Sequence, residues 1–174
     1  MIISASYKTD IPCFYGNWFM NRLKEGFCII KDAFTRKAKR VSLKQEDVDG
    51  IFFWTKDLSN FIDKFKEIRN MGYNFIVHHT IIKYPKEIEL MRVDLESCIE
   101  NLKLISEEFG NRVPVWRYDP IVFSSITDYD YHLRNFEFLS KKLEGITDEV
   151  IISFMQLYKK TERNLNLSSK KYNF

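Results

Sequence analysis

The sequence predicts an α/β fold, a partial (β/α) TIM-like barrel with about five parallel strands and a β-hairpin inserted after the first helix. Short β-type runs alternate with longer segments of helical periodicity along the 174 residues. The run Ile51–Thr55 is apolar, which is typical of a strand buried on both faces of a parallel sheet. A complete barrel needs on the order of 250 residues, so only part of one is encoded. A doubly wound sheet also fits the alternation, but no glycine-rich phosphate loop follows the first strand, which disfavours a Rossmann fold.

Each element follows from a local pattern. Apolar residues recur at helical spacing before Gly26, which ends the first helix, and two β-type runs around a polar basic segment predict the hairpin. Asp57 or Ser59 caps one later helix and Asp94 another. In order, the predicted elements are strand Ile2–Ser6, helix Phe14–Gly26, hairpin arms Phe27–Lys31 and Arg40–Leu43, strand Ile51–Thr55, a helix through Phe61 and Ile68, strand Tyr73–Thr80, helix Asp94–Gly110, strand Val113–Tyr118, helix Tyr129–Leu143 and strand Val150–Phe154.

Composition limits the classes of protein that the chain can belong to. Its 45% hydrophobic and 29% charged content is that of a globular protein. No apolar stretch approaches the roughly 20 residues of a membrane span, and no signal peptide pattern is present, so we expect a cytoplasmic protein without a membrane partner. The three cysteines are widely spaced, which does not support a cysteine-held metal site. The predicted barrel domain spans residues 1–157, and a basic polar tail, either a frayed helix or disordered, spans 158–174.

Polar residues gather where the predicted parallel strands end, which is where ligands bind in such folds. Cations at these ends are suited to a carboxylate or phosphate, and the carboxylates orient them or transfer protons. The predicted catalytic residues are Asp10, Asp119 and His79, and the predicted substrate-binding residues are Lys8, Trp54, Lys56, Arg117 and Tyr118.

Structural alternatives exist for several of these residues. Asp10 and Asp57 are also suited to capping helices, and Asp119 before Pro120 to forming a turn. Arg117 in an apolar strand needs a charge partner, which is either structural or part of a pocket. His78 and His79 are adjacent and point to opposite faces of a strand, so only one faces the pocket, and a hydrogen-bonded histidine or general base is favoured over a metal ligand.

Several separate motifs resemble an uncharacterised bacterial family, a domain of unknown function. Its N-terminal signature is similar to residues 3–12, with Lys8 where an arginine is usual. The other similar stretches are 14–26 with Trp18-Phe19-Met20-Asn21-Arg22, Phe53-Trp54-Thr55-Lys56, Trp116-Arg117-Tyr118-Asp119-Pro120, and Ile152-Ser153-Phe154 with Tyr158-Lys159-Lys160-Thr161. The resemblance implies a partial (β/α) barrel over nearly the whole chain.

The resemblance also implies a chemistry. Full-length members end in a cysteine cluster similar to that of radical SAM enzymes, with spore photoproduct lyase as a distant analogue, which implies an iron–sulfur cluster and S-adenosylmethionine for those relatives. Cys13, Cys28 and Cys98 do not match that cluster, and the sequence stops near Phe174, before its expected place. We therefore expect either a truncated member or one that has lost the cluster chemistry, and we carry neither cofactor onto these residues.

Three functions follow as hypotheses. The first is the substrate-binding barrel portion of a radical-SAM-like enzyme that acts on a small polar or anionic substrate. The second is a non-catalytic remnant or binding module that associates with itself or a partner through an open barrel edge. The third is nucleic-acid binding through the basic hairpin loop, Arg36-Lys37-Lys39-Arg40, and the basic tail.

Overall fold

A computed structural model describes residues 1–32, 35, 37–89 and 93–172. The strands are β1 Ile2–Ser4, β2 Phe27–Lys31, β3 Ala38–Ser42, β4 Gly50–Thr55, β5 Phe75–Thr80, β6 Pro114–Ile121 and β7 Val150–Phe154. The helices are α1 Ile11–Phe14, α2 Gly16–Glu25, α3 Ile62–Asn70, α4 Leu95–Phe109, α5 Tyr129–Leu143 and α6 Lys159–Tyr172. Arg36 of the predicted basic loop lies outside the described residues.

Five strands form one parallel sheet in the order β1-β4-β5-β6-β7, and β2 pairs with β3 in a separate antiparallel hairpin. In β1 and β4, Ile3 lies opposite Ile51, and in β6 and β7, Arg117 lies opposite Ile151. These findings confirm the α/β class, the five parallel strands and the hairpin insertion. The sheet is open, with β1 and β7 at the two ends of the order, so a barrel stays a prediction.

The chain packs as two compact units, Met1–His78 and His79–Phe174. Phe53 of β4, fully buried, lies at the centre of the first unit's core. Its ring centroid lies 5.4 Å from that of Phe19, 5.4 Å from Phe61 and 5.3 Å from Phe65, with edge-on or tilted geometry. Since aromatic pairs at such distances and angles add to the energy of burial, this cluster fixes α2 and α3 on one face of β4.

The core of the second unit is built between β6 and α5. Trp116 stacks on Phe136 with ring centroids 4.9 Å apart, and Tyr118 meets the same ring edge-on at 5.3 Å. The indole N–H of Trp116 donates to the carbonyl oxygen of Ile81 at 3.0 Å, so its polar atom is satisfied inside the core. Leu102 of α4 and Leu139 of α5 are completely buried in the same cluster.

Helix ends agree in part with the predicted caps. Asp94 caps α4 as predicted, since its Oδ1 accepts from the Ser97 amide at 2.9 Å. The prediction that Asp57 or Ser59 caps the next helix is wrong, because α3 begins only at Ile62 and the Asp57 carboxylate accepts the Ser59 amide in the preceding turn.

The predicted polar tail contains α6, whose Ser168 hydroxyl donates to the Glu87 carbonyl oxygen at 2.7 Å. The division into a domain over 1–157 and a tail stays a prediction. No helix in the described part of the chain is both long enough and apolar enough to cross a bilayer.

Candidate functional site

Asp10 joins the loop after β1 to the end of β4 in the first unit. Its Oδ1 caps α1 by accepting the Cys13 amide at 3.0 Å. Its Oδ2 accepts the Lys56 amide at 3.0 Å and lies 3.0 Å from Thr55 Oγ1. Because three donors from two distant segments meet one carboxylate, Asp10 fixes the geometry of this strand end, and its predicted part in proton transfer stays a prediction.

The two lysines predicted to bind substrate in this unit, Lys8 and Lys56, make different contacts. The Lys8 ammonium group donates to the carbonyl oxygen of Lys31 at 3.2 Å, so Lys8 lies against the hairpin. Lys56 is brought to Asp10 through its backbone amide, while the residue itself is exposed. The structure therefore brings Asp10 and the backbone of Lys56 together and directs the Lys8 side chain to β2.

Trp54 lies beside His78, the neighbour of the predicted catalytic residue His79. The rings of Trp54 and His78 meet edge-on with centroids 6.1 Å apart, and Phe52 meets His78 at 5.6 Å. The Trp54 amide donates to Ser6 Oγ at 3.2 Å. His78 therefore shares the partly buried face of the sheet with Trp54, where the next residue, His79, cannot point.

His79 is completely buried. Successive side chains of β5 alternate, so His79 shares its side of the strand with the buried Val77 and Phe75. This placement keeps the His79 ring out of contact with solvent, and its predicted catalytic role stays a prediction. The alternation of side chains along this strand could be predicted from the sequence. The sequence pattern alone did not show which of the two histidines is buried.

Arg117, Asp119 and Ser153 form a linked cluster at the carboxyl ends of β6 and β7 in the second unit. Arg117 Nη2 donates to Asp119 Oδ2, and the Ser153 hydroxyl donates to Asp119 Oδ1. The Arg117 side chain is 25% exposed and that of Asp119 11%, so the pair is shielded but reachable. The strand register shifts between Tyr118 and Ile121, where the Asp119–Pro120 peptide is cis.

The opposite face of β6 anchors this cluster through Tyr118, which is 1% exposed. The Tyr118 hydroxyl lies 2.9 Å from His132 Nδ1 and accepts from Asn135 Nδ2 at 3.2 Å. His132 Nε2 lies 3.0 Å from the Val122 carbonyl oxygen, which can only accept, so the neutral ring carries its proton on Nε2. Nδ1 is then an acceptor, and the Tyr118 hydroxyl donates a hydrogen bond to it.

Burial raises the pKa of Tyr118, which keeps the phenol in the protonated form that this arrangement needs. A second tyrosine holds the segment after Asp119. The Tyr84 hydroxyl donates to the Pro120 carbonyl oxygen at 2.7 Å and accepts from the Val122 amide at 2.8 Å. Both phenols therefore position the backbone that carries Asp119. The predicted contact of Tyr118 with substrate stays a prediction.

Ser153 and His132 were not among the predicted site residues, and of the two adjacent histidines His79 was predicted where His78 lies beside Trp54. Ser153 lies in the Ile152-Ser153-Phe154 stretch of the family resemblance, but its hydrogen bond to Asp119 depends on the register of β6 and β7. His132 lies on a predicted helix, and nothing in its spacing marks it as the partner of Tyr118.

No group of three His, Cys, Asp or Glu side chains within the described residues is placed to hold a metal ion. Cys13 lies on α1 with its Sγ 3.8 Å from Asp57 Oδ2, Cys28 lies on β2 and Cys98 is buried in α4. These three thiols lie on separate elements and do not fit an iron–sulfur cluster, which needs several thiolates around one centre.

Comparison with known proteins assigns a family. The family described as Domain of unknown function (DUF1848) matches residues 2–173. Searches of curated proteins and of solved structures found no match.

Proposed function

Because the chain belongs to the DUF1848 family, a domain of unknown function, we propose from its own residues that it is the substrate-binding portion of an enzyme that acts on a small polar or anionic substrate. The carboxyl ends of β6 and β7 bind that substrate through Arg117, and a partial barrel is the fold that would surround it. The observation that carries this proposal is the shielded Arg117–Asp119–Ser153 cluster at a strand end.

The chemistry of the cluster suits a substrate that offers both an anionic group and a hydrogen-bond donor. Arg117 Nη2 donates to Asp119, and a planar guanidinium is suited to bind a carboxylate or phosphate through two parallel hydrogen bonds. The Asp119 carboxylate accepts hydrogen bonds from both Arg117 and Ser153. These bonds hold the guanidinium group in one orientation. A fixed guanidinium loses less entropy on binding a carboxylate or phosphate, and this pre-organisation favours recognition.

The resemblance to enzymes with a radical-SAM-like cysteine cluster extends the proposal to the class of reaction. In that case the barrel portion binds and orients the substrate. An iron–sulfur cluster with S-adenosylmethionine, when bound in a relative, would supply radical chemistry. The cysteines of this chain do not fit such a cluster, so its own residues are assigned binding and orientation only.

A binding experiment with named small anions tests the proposal. Inorganic phosphate and succinate are titrated into the ¹⁵N-labelled protein, with backbone NMR shifts and the melting temperature as readouts. We expect saturable shifts at Arg117 and Ser153 and a rise in melting temperature, because a ligand that binds the folded state stabilises it. The Arg117→Gln variant should lose both responses, whereas Arg112→Gln, at an exposed position outside the cluster, should keep them.

Two outcomes separate binding from a structural ion pair. If Arg117→Gln lowers stability but neither anion shifts the wild-type spectrum around Arg117, the pair is structural and the proposal fails. If Arg112→Gln abolishes the response as strongly as Arg117→Gln does, the anions bind by general charge and the assignment to this cluster fails.

A further inference from the structure

The hairpin of β2 and β3 forms a two-stranded ribbon outside the five-stranded sheet. Ile29 pairs with Arg40, Ile30 with Lys39 and Lys31 with Ala38. All six of these residues are exposed, and Ile29 and Ile30 are 58% and 49% accessible. This outer half of the ribbon therefore meets solvent on both faces.

The exposed ribbon carries far more positive than negative charge. Its described cations are Lys31, Lys37, Lys39 and Arg40, and Lys8 lies beside them through its 3.2 Å bond to the Lys31 carbonyl oxygen. Residues 27–42 contain a single acidic residue, Asp32, whose carboxylate accepts from the Thr35 amide and hydroxyl. The ribbon is thus a concentrated positive charge on a protein whose net charge is only +3.

The cations point to both faces of the ribbon. Residues that pair directly across an antiparallel hairpin share a face, so Lys31 and Arg40 lie on one face with Ile29, and Lys39 lies on the other with Ile30. Arg40 is held in place on its face by the Phe27 ring, whose centroid lies 4.1 Å from the guanidinium carbon. A flat acidic surface would engage only one of these two faces.

We propose that this ribbon binds the phosphate backbones of a nucleic-acid duplex. The major groove of a B-form duplex is wide enough to admit a two-stranded β-ribbon and has a phosphate backbone along each side. A ribbon with cations on both faces meets both backbones, and Ile29 and Ile30, one on each face, then lie against the sugars of the backbone on their own side. Phosphate contacts of this kind bind without reading sequence. The ribbon proposal uses none of the residues of the Arg117 cluster and does not depend on the substrate proposed there.

Fluorescence anisotropy with a labelled DNA duplex and its labelled single strand tests this inference at salt concentrations from about 50 to about 200 mM. We expect the duplex to bind more tightly than the single strand and the affinity to fall with salt. The double variant Lys31→Glu/Lys39→Glu should weaken binding by at least about tenfold and reduce the salt slope by about 2, since each lost phosphate contact removes about one unit.

A matched control carries the same change of net charge. Lys66→Glu/Lys86→Glu alters two exposed lysines outside the ribbon and should retain the wild-type affinity within about twofold if phosphate contacts are local to the ribbon. If circular dichroism shows that Lys31→Glu/Lys39→Glu does not fold, the variant Lys31→Gln/Lys39→Gln replaces it in the binding measurement. This neutral double variant should also bind the duplex more weakly than the wild type.

Four results would overturn the proposal. The first is absence of duplex binding at low salt, and the second is an equal loss of affinity in the control variant. The third is displacement of the duplex by polyglutamate at the same charge concentration, which would assign the ribbon to acidic proteins. A single strand that binds as tightly as the duplex would contradict the groove geometry.

Discussion

The Asp10 carboxylate lies 3.0 Å from the Thr55 hydroxyl across a separation of 45 residues in sequence. One side chain thereby connects the first loop of the chain to the end of the next parallel strand. The same carboxylate caps α1, so its removal acts on two elements at once.

Replacement of Asp10 by alanine should lower the free energy of unfolding by about 2–3 kcal/mol. The change removes a helix cap, worth about 1 kcal/mol, and the hydrogen bond from the exposed Lys56 amide to a carboxylate, worth about 1–2 kcal/mol. Urea unfolding measures the loss. Asp63→Ala, at an exposed site in the first turn of α3, should cost less than about 1 kcal/mol, and equal losses in the two variants would contradict the structural role of Asp10.

Replacement of Tyr118 by phenylalanine should cost about 1–3 kcal/mol, because the buried His132 Nδ1 loses its donor and Asn135 Nδ2 loses its acceptor. The phenol of Tyr158, which is exposed, serves as the control, and Tyr158→Phe should change stability by less than about 0.5 kcal/mol. If Tyr118→Phe unfolds at the wild-type urea midpoint, the hydroxyl network does not anchor β6.

The unfolding free energy should fall at alkaline pH because burial raises the pKa of Tyr131 to about 12 from its ordinary value of 10. Below pH 10 the phenol is protonated in both states, so this contribution is fully present. Between pH 10 and pH 12 the unfolded chain releases its proton first, and stability is lost.

Urea unfolding at a series of pH values measures this loss. Tyr131→Phe should reduce the fall of the unfolding free energy between pH 10 and pH 12. Tyr129→Phe, at a 66% exposed residue, should leave that fall unchanged. Identical alkaline slopes in the wild type and Tyr131→Phe would contradict the assignment.

Gly16→Ala should destabilise the first unit although alanine usually favours a helix. A Cβ at position 16 would lie 2.9 Å from Cδ2 of Phe61, which is completely buried and cannot move without disturbing the aromatic core. Overpacking of this kind costs about 1–3 kcal/mol. Thermal unfolding measures the change, and Asn17→Ala, one residue further along α2 and exposed, should be neutral or slightly stabilising. A gain of stability in Gly16→Ala would contradict this prediction, because it would show that the Phe61 ring moves aside without cost.

The fold was readable from sequence wherever a local pattern determines the element. The apolar run Ile51–Thr55 became β4 and the capping residue Asp94 began α4, because burial on both faces and capping act within a few residues. Asp57 failed as a cap because its carboxylate closes a turn on Ser59, an alternative that the same residue type favours equally.

The candidate sites were only partly readable. Arg117 and Asp119 stand two residues apart on one strand, so the alternation of a strand places them together. Ser153 reaches Asp119 through the pairing of β6 with β7, and His132 reaches Tyr118 through the packing of α5 on β6. Neither contact has a sequence signature. Tyr118 was predicted as a substrate contact, and the structure places its hydroxyl on His132, because residue 118 points to the helix side of β6.

The order of the parallel strands, β1-β4-β5-β6-β7, is also their order of synthesis. Each strand therefore finds its neighbour already translated when it leaves the ribosome, and no strand must insert between two that have paired. The hairpin of β2 and β3 can form before β4 has been synthesised and has paired with β1. Since folding during synthesis proceeds from earlier to later segments, these strands can pair one after another in the direction from β1 to β7.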